Sequence, residues 1–123
     1  MKTEIIKLDP RFPDFAAISR AAKLVRQGGL VIFPTETVYG IAANAGHPPA
    51  LERLRAVKQR PENKPFTVMI PKKDDLLRLT ACRVPALFKL IDPYWPGPLT
   101  VIVPDRIGGK TLGLRIPNHC VAL

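Results

Sequence analysis

Three cations crowd the segment "VKQRPENKP" (57–65): Lys58, Arg60 and Lys64. Pro61 ends any regular helix there and biases Arg60 toward an extended backbone. Cations on a stiff corner can converge on a polyphosphate, a guanidinium as a two-pronged donor and an ammonium as a point charge. The same residues also suit a plain helix C-terminus, where the macrodipole favours positive charge. Further on, "TLGLR" (111–115) sets Thr111, Gly113 and Arg115 on one face of a strand. A strand arginine is either solvated or, if it faces the same cleft as Lys58 and Arg60, one side of an anion clamp.

The apolar run "GGLVIF" breaks off in "FPTETVYG" (33–40), where two threonines flank a carboxylate just after Pro34. This corner is either an ordinary turn or a strand end that carries a site. In "WPGPLT" (95–100), Trp95 suits the core and Gly97 suits a tight turn. Neither G-x-x-x-x-G-K-[ST] nor G-x-G-x-x-G occurs, so neither glycine-rich phosphate loop applies. Cys82, Cys120, His47 and His119 lack metal-ligand spacing and read as structural, with no metal site among them.

These residues need elements to hold them. From Asp14 to Gln27, Phe15, Ile18, Ala22 and Val25 recur at helical steps, with Asp14 as N-cap and Gly28-Gly29 as C-cap. "LVIF" (30–33) reads as a buried strand. Pro48 and Pro49 open a second helix, striped by Leu51, Leu54 and Val57 and ending near Lys58. "FTVMI" (66–70) is strand-like, 74–81 a short helix and 85–91 another, stopped by "DPYWPGP". "LTVIV" (99–103) and "LGLRI" (112–116) are expected to pair as a hairpin across the turn "PDRIGGK", and a last helix is expected from Pro117. The alternation points to one α/β domain without repeats or a linker.

At 123 residues the chain fits a single domain. With 46% hydrophobic and 24% charged residues it belongs with folded globular chains, not disordered ones. Its 14 prolines fall mostly between apolar runs, as stiff corners joining short elements. The excess of 19 Lys+Arg over 10 Asp+Glu, +9 in net charge, suits anionic partners or simply makes a basic surface. No apolar run approaches the roughly 18 residues of a membrane span, and no h-region opens the chain, so a cytoplasmic protein without a membrane partner is expected. The chain stops within the apolar "NHCVAL", and is read as the N-terminal part of something longer.

"FPTETVYG", "KQRPENKP", "WPGPLT" and "LGLRIPNH", in this order and spacing, resemble the YrdC family of threonylcarbamoyl-AMP synthases, from about Leu8 onward. The resemblance implies a twisted mixed β-sheet flanked by helices around a basic cleft, here a single YrdC-like domain truncated at its C-terminus. It implies ATP, L-threonine and bicarbonate (or CO2) as substrates, with Mg2+ assisting, and threonylcarbamoyl-AMP and pyrophosphate as products. The product would feed tRNA threonylcarbamoyladenosine modification through a downstream transfer complex. By family pattern Lys58 and Arg60 hold the ATP phosphates, and Lys64 and Thr111 lie near the nucleotide. Thr37 contacts the substrate threonine, Arg115 its carboxylate, and Pro34 fixes the corner presenting Thr37. Catalysis would rest on positioning, with no covalent nucleophile.

Two features depart from the pattern. Met69 stands where longer members often carry a substrate-facing histidine, which suggests the short branch. The family's later Ser-x-Asn segment has no counterpart in these 123 residues, so the chain alone is expected to be inactive. A second reading is a non-catalytic module that binds double-stranded RNA or tRNA through the basic cleft. A carbamoyl-transfer protein of the hydrogenase-maturation type fits less well, for want of acylphosphatase or zinc-finger sequence before Phe33.

Overall fold

In the computed structural model, which describes residues 2–106 and 110–122, Asp14 starts the first helix, α1 (Phe15–Arg26). Its carboxylate accepts from the N–H groups of Ala16 (2.9 Å) and Ala17 (3.3 Å), partners that the first turn of a helix otherwise lacks. The helix ends at Gly28, whose φ of +90° an L side chain rarely adopts. Gly28 also has no room for one, because an added Cβ would lie 2.7 Å from the His47 ring. The face turned inward is Ala17, Ile18, Ala21 and Val25, all half-buried, whereas Phe15 and Ala22 of the expected stripe are exposed.

Strand β1 (Val31–Phe33) turns back through residues 34–39 into β2 (Gly40–Ala42), pairing antiparallel with Val31 opposite Ala42 and Phe33 opposite Gly40. The sequence reading contained no β2, since three residues of "GIA" are too few for any periodicity to show. Helix α2 (Pro48–Lys58) follows, with His47 as N-cap: its Nδ1 accepts from Ala50 N–H at 3.2 Å. At the other end Gln59 takes a left-handed conformation (φ 51°, ψ 39°), and Arg60 N–H returns to Arg55 O at 3.0 Å. Left-handed backbone is costly for a residue with a Cβ. Gln59→Gly is therefore expected to raise stability by about 0.5–1 kcal/mol, read as a later midpoint in urea melts. An unchanged or lowered midpoint would mean the Gln59 side chain offsets the strain.

The second half builds a three-stranded sheet in the order β3–β5–β4, from Val68–Met69, Thr111–Arg115 and Val101–Pro104. β3 runs parallel to β5 and β4 antiparallel to it, so the expected hairpin is present. Ile107, Gly108 and Gly109 of its expected turn lie outside the described residues. Val101, Val103, Leu114, Ile70 and Ile116 face a core completed by Leu76, Ile91 and Trp95, from a short 3-10 turn (Lys73–Asp75), α3 (Leu76–Leu79), α4 (Pro85–Ile91) and the turn after it. The helix expected over 74–81 stops early at Thr80. That residue is extended and fully buried, its hydroxyl donating to Pro104 O at 2.6 Å and accepting from Cys82 N–H.

The chain is α/β, as expected, yet its strands divide into two sheets, β1–β2 and β3–β5–β4. The helix expected from Pro117 is absent. Residues 116–119 are irregular and 120–122 form a turn, in which His119 Nδ1 accepts from Val121 N–H at 3.1 Å and His119 O from Ala122 N–H at 3.0 Å. No described helix is long and apolar enough to cross a membrane.

Candidate active site

Alternation along β5 decides the site. Leu112 and Leu114 turn to the core, so Thr111, Gly113 and Arg115 share the opposite face of the sheet. Register sets Met69 beside Arg115 on this face. Gly113 is flanked by Thr67 and Thr100: an added Cβ would come within 3.6 Å of Thr67 Oγ1 and 3.5 Å of Thr100 Cγ2. The floor is thus low at its centre, with small hydroxyl side chains to either side.

Arg115 is the hub at one end. Its Nε donates to Gly97 O at 3.1 Å and its Nη2 to Thr37 Oγ1 at 3.2 Å, while Nη2 also forms an ion pair with Glu36. The Arg115 side chain is 12% exposed and that of Glu36 22%, so the pair is largely withdrawn from water. Glu36 also accepts from the Asn118 backbone N–H. One carboxylate on the β1–β2 turn thereby links that hairpin to the end of β5.

The turn is held from within by Thr35, whose hydroxyl accepts from Thr37 and Val38 N–H (both 3.2 Å), donates to Val38 O at 2.6 Å and stands 3.0 Å from Thr37 Oγ1. "FPTETVYG" is both of the things its sequence allowed: a hairpin turn, and the carrier of two residues that meet Arg115. Behind Arg115, Gly97 N–H donates to Ile116 O at 2.8 Å, and a Cβ at Gly97 would strike Tyr94 O. Trp95 is buried, as expected, with its indole N–H on Leu99 O at 2.8 Å.

Thr111 is exposed on the same face, four residues along the strand, about 13 Å from Arg115. β3 runs parallel to β5, with Val68 opposite Leu114 and Met69 opposite Arg115, so the segment that follows the cation corner joins the sheet beside the second half of β5. No hydrogen bond or ion pair among the described residues joins Lys58, Arg60 or Lys64 to Thr111, Thr37 or Arg115. Lys58 and Lys64 are exposed, and their ammonium groups have no described partner. Arg60 is folded onto its own loop, Nε to Lys64 O (3.3 Å) and Nη2 to Pro65 O (2.8 Å).

Reading residue types missed two participants. Glu36 stands inside a motif singled out for its threonines, and a carboxylate on a turn carries no mark of its partner. Arg55 lies one helical turn before Lys58 and shares the loop that Arg60 holds, donating to Pro61 O (3.1 Å) and Lys64 O (3.2 Å). Its helical spacing from Lys58 was the available signal. Cys82, half-buried, and Cys120, exposed, are free thiols, and the Nδ1 of His119 accepts from Val121 N–H. The described residues contain no cluster of three or more His, Cys, Asp or Glu able to cage a metal.

Comparison with known proteins identifies the chain's relatives. The Sua5/YciO/YrdC family model, described as telomere recombination, matches residues 23–123. The chain is 36% identical to a threonylcarbamoyl-AMP synthase of Bacillus subtilis, over 86% of this chain and 33% of that protein. It is also 36% identical to the enzyme of that name from Pyrococcus abyssi, over 98% of this chain and 38% of its relative. Among solved structures it superposes on P. abyssi Sua5 complexed with L-threonine with a TM-score of 0.85, at 34% identity over 91% of this chain and 35% of that one. The corresponding values for E. coli YciO are 0.81, 26%, 90% and 58%. The chain thus spans about a third of the length of the two curated relatives.

Proposed function

Because this chain belongs to the Sua5/YciO/YrdC family, we propose that it serves the synthesis of threonylcarbamoyl-AMP from L-threonine, bicarbonate or CO2, and ATP. The observation that carries this reading is the meeting of Thr37 and Arg115, brought from two different sheets onto one solvent-facing floor. Likeness to a Sua5 structure holding L-threonine supports placing the amino acid at this end. The triphosphate is then assigned to Lys58, Arg60 and Lys64, with Thr111 near the nucleotide.

In this arrangement the threonine amine attacks CO2, forming a C–N bond and releasing a proton to solvent. A carbamate oxygen next attacks the α-phosphate of ATP, and the bond to the β,γ-phosphates breaks as pyrophosphate leaves. The chain's residues contribute placement and charge neutralisation, the Arg60 fork suiting phosphate and the Arg115 guanidinium suiting carboxylate. Arg115 already serves Gly97, Thr37 and Glu36, so what it offers substrate is its remaining N–H groups, held in a fixed direction. The described side chains do not fit a resident metal; Mg2+ would arrive as the counterion of ATP.

The reaction places the protein among nucleotide-transferring enzymes of tRNA processing, upstream of a threonylcarbamoyl-transfer complex, and in the cytoplasm. The 123 residues alone are expected to bind nucleotide without turnover, because the floor around Gly113 is open to water and catalysis needs both substrates fixed closely. A basic surface at +9 also supports the second reading, a module that binds double-stranded RNA or tRNA without catalysis. Pyrophosphate release separates the two. A full-length protein should release pyrophosphate from ATP only when threonine and bicarbonate are both present. Salt-sensitive RNA binding with no such release would overturn the synthase reading.

A further inference from the structure

Arg55 and Arg60 stack against one aromatic ring, their guanidinium carbons 4.9 Å and 5.4 Å from the centroid of Phe66. Both also donate into the loop between α2 and β3. Arg55 Nη1 serves Pro61 O and Lys64 O, while Arg60 Nε and Nη2 serve Lys64 O and Pro65 O. The carbonyl of Lys64 thus receives both arginines, and Lys64 N–H closes the loop by donating to Pro61 O at 3.1 Å. Gathering two like charges on one ring is costly unless something holds them there. Here three loop carbonyls and the π-face do so. Glu52 and Glu62 line the outer hollow beside this stack, but neither forms an ion pair with Arg55 or Arg60.

We propose that Arg55, through Phe66, is a positioning residue that locks loop 61–65 and so holds Arg60 and Lys64 in place, beside Lys58 at the end of α2, for a polyphosphate. The inference rests on the synthase reading only for the identity of the ligand as ATP. Arg60 keeps Nη1 unengaged by the described residues, so it can clasp the loop and still face a phosphate oxygen. The Lys64 side chain has no such fixing of its own, and Lys58 is placed by α2. A loop that wandered would spread their charge and lose the preorganisation on which phosphate affinity depends. Arg55 touches no substrate in this scheme.

The test compares the full chain with Arg55→Met, Arg55→Lys and Phe66→Leu. Amide exchange at Arg60 and Lys64, whose N–H groups donate to Arg55 O and Pro61 O, reads the lock, and calorimetry with inorganic triphosphate and with threonine reads its purpose. Arg55→Met should speed exchange at these amides and weaken triphosphate binding, each about tenfold, the scale of one or two lost hydrogen bonds. Threonine affinity should stay unchanged. Arg55→Lys should not rescue either readout, since an ammonium restores neither the fork nor the planar stack, and Phe66→Leu should weaken both in part. Unchanged exchange in Arg55→Met, full rescue by lysine, equal weakening toward threonine, or a wild-type chain that fails to bind triphosphate would each overturn the proposal. If triphosphate binding depends on Arg55 while the full-length protein shows no threonine-dependent turnover, the lock stands and the synthase reading falls.

Discussion

Replacing Arg115 by methionine should cost about 3 kcal/mol of folding stability, the low end of the range for breaking a buried ion pair, since Glu36 keeps some contact with water. The loss has three physical parts. Gly97 O and Thr37 Oγ1 lose their donor, and the Glu36 carboxylate is left largely buried without its counter-charge. The last part dominates, because an uncompensated charge is dearer than an absent neutral hydrogen bond. A second substitution should therefore repair much of the first. Arg115→Met combined with Glu36→Gln should be more stable than Arg115→Met alone, as Gln can still accept from Asn118 N–H. Denaturant melts of the four proteins form a double-mutant cycle. A single mutant within 1 kcal/mol of wild type, or a double mutant no better than the single, would show that the pair does not hold the hairpin to the sheet.

The milder Arg115→Lys addresses function. It keeps the charge near Glu36 but gives up the simultaneous reach to Gly97 and Thr37. Threonine affinity should fall far more than ATP affinity, since Arg115 bonds to Thr37 and the proposed phosphate cations share no described bond with it. Equal losses for both substrates would mean that Arg115 is structural alone or contacts the nucleotide.

The second large effect belongs to Arg60. Arg60→Ala is expected to weaken ATP binding by about 1.5–3 kcal/mol, roughly ten- to hundredfold. It removes a charge-assisted phosphate donor and also two of the four guanidinium bonds that hold loop 61–65. Lys58→Ala removes a point charge without disturbing the loop, so its effect should be in the same direction and smaller. Calorimetry at fixed ionic strength measures both. ATP affinity unchanged in both variants would remove the corner from the nucleotide site. A larger loss for Lys58 than for Arg60 would shift the phosphate contact to the ammonium.

Much of the architecture was legible because it is local. Asp14, Gly28 and Pro48 mark helix ends through bonds made within a few residues of themselves. The alternation of "TLGLR" is a property of any extended chain, so the shared face of Thr111, Gly113 and Arg115 followed from spacing. The same holds for the proline-stiffened corner that carries Lys58 and Arg60. Where local signals were too short, as in β2, or where a proline opened a turn and not a helix, as at Pro117, the sequence misled.

The partnerships were of another kind. Thr37 and Arg115 are 78 residues apart, and their residue types say only that a hydroxyl and a guanidinium are present. Resemblance to a family placed both near one amino acid, but that Glu36 rather than solvent would neutralise Arg115 depends on the hairpin docking against β5. Arg60 illustrates the same division. Its sequence position makes it a cation beyond a helix end, and an extended backbone before proline leaves its side chain many directions. Packing chose one: Phe66 offers a ring, loop 61–65 offers carbonyls, and Arg55 arrives from the previous turn to share both. Charge, caps and strand faces are set by neighbours along the chain, whereas the partner of each charge is set by which surfaces meet when the two sheets come together.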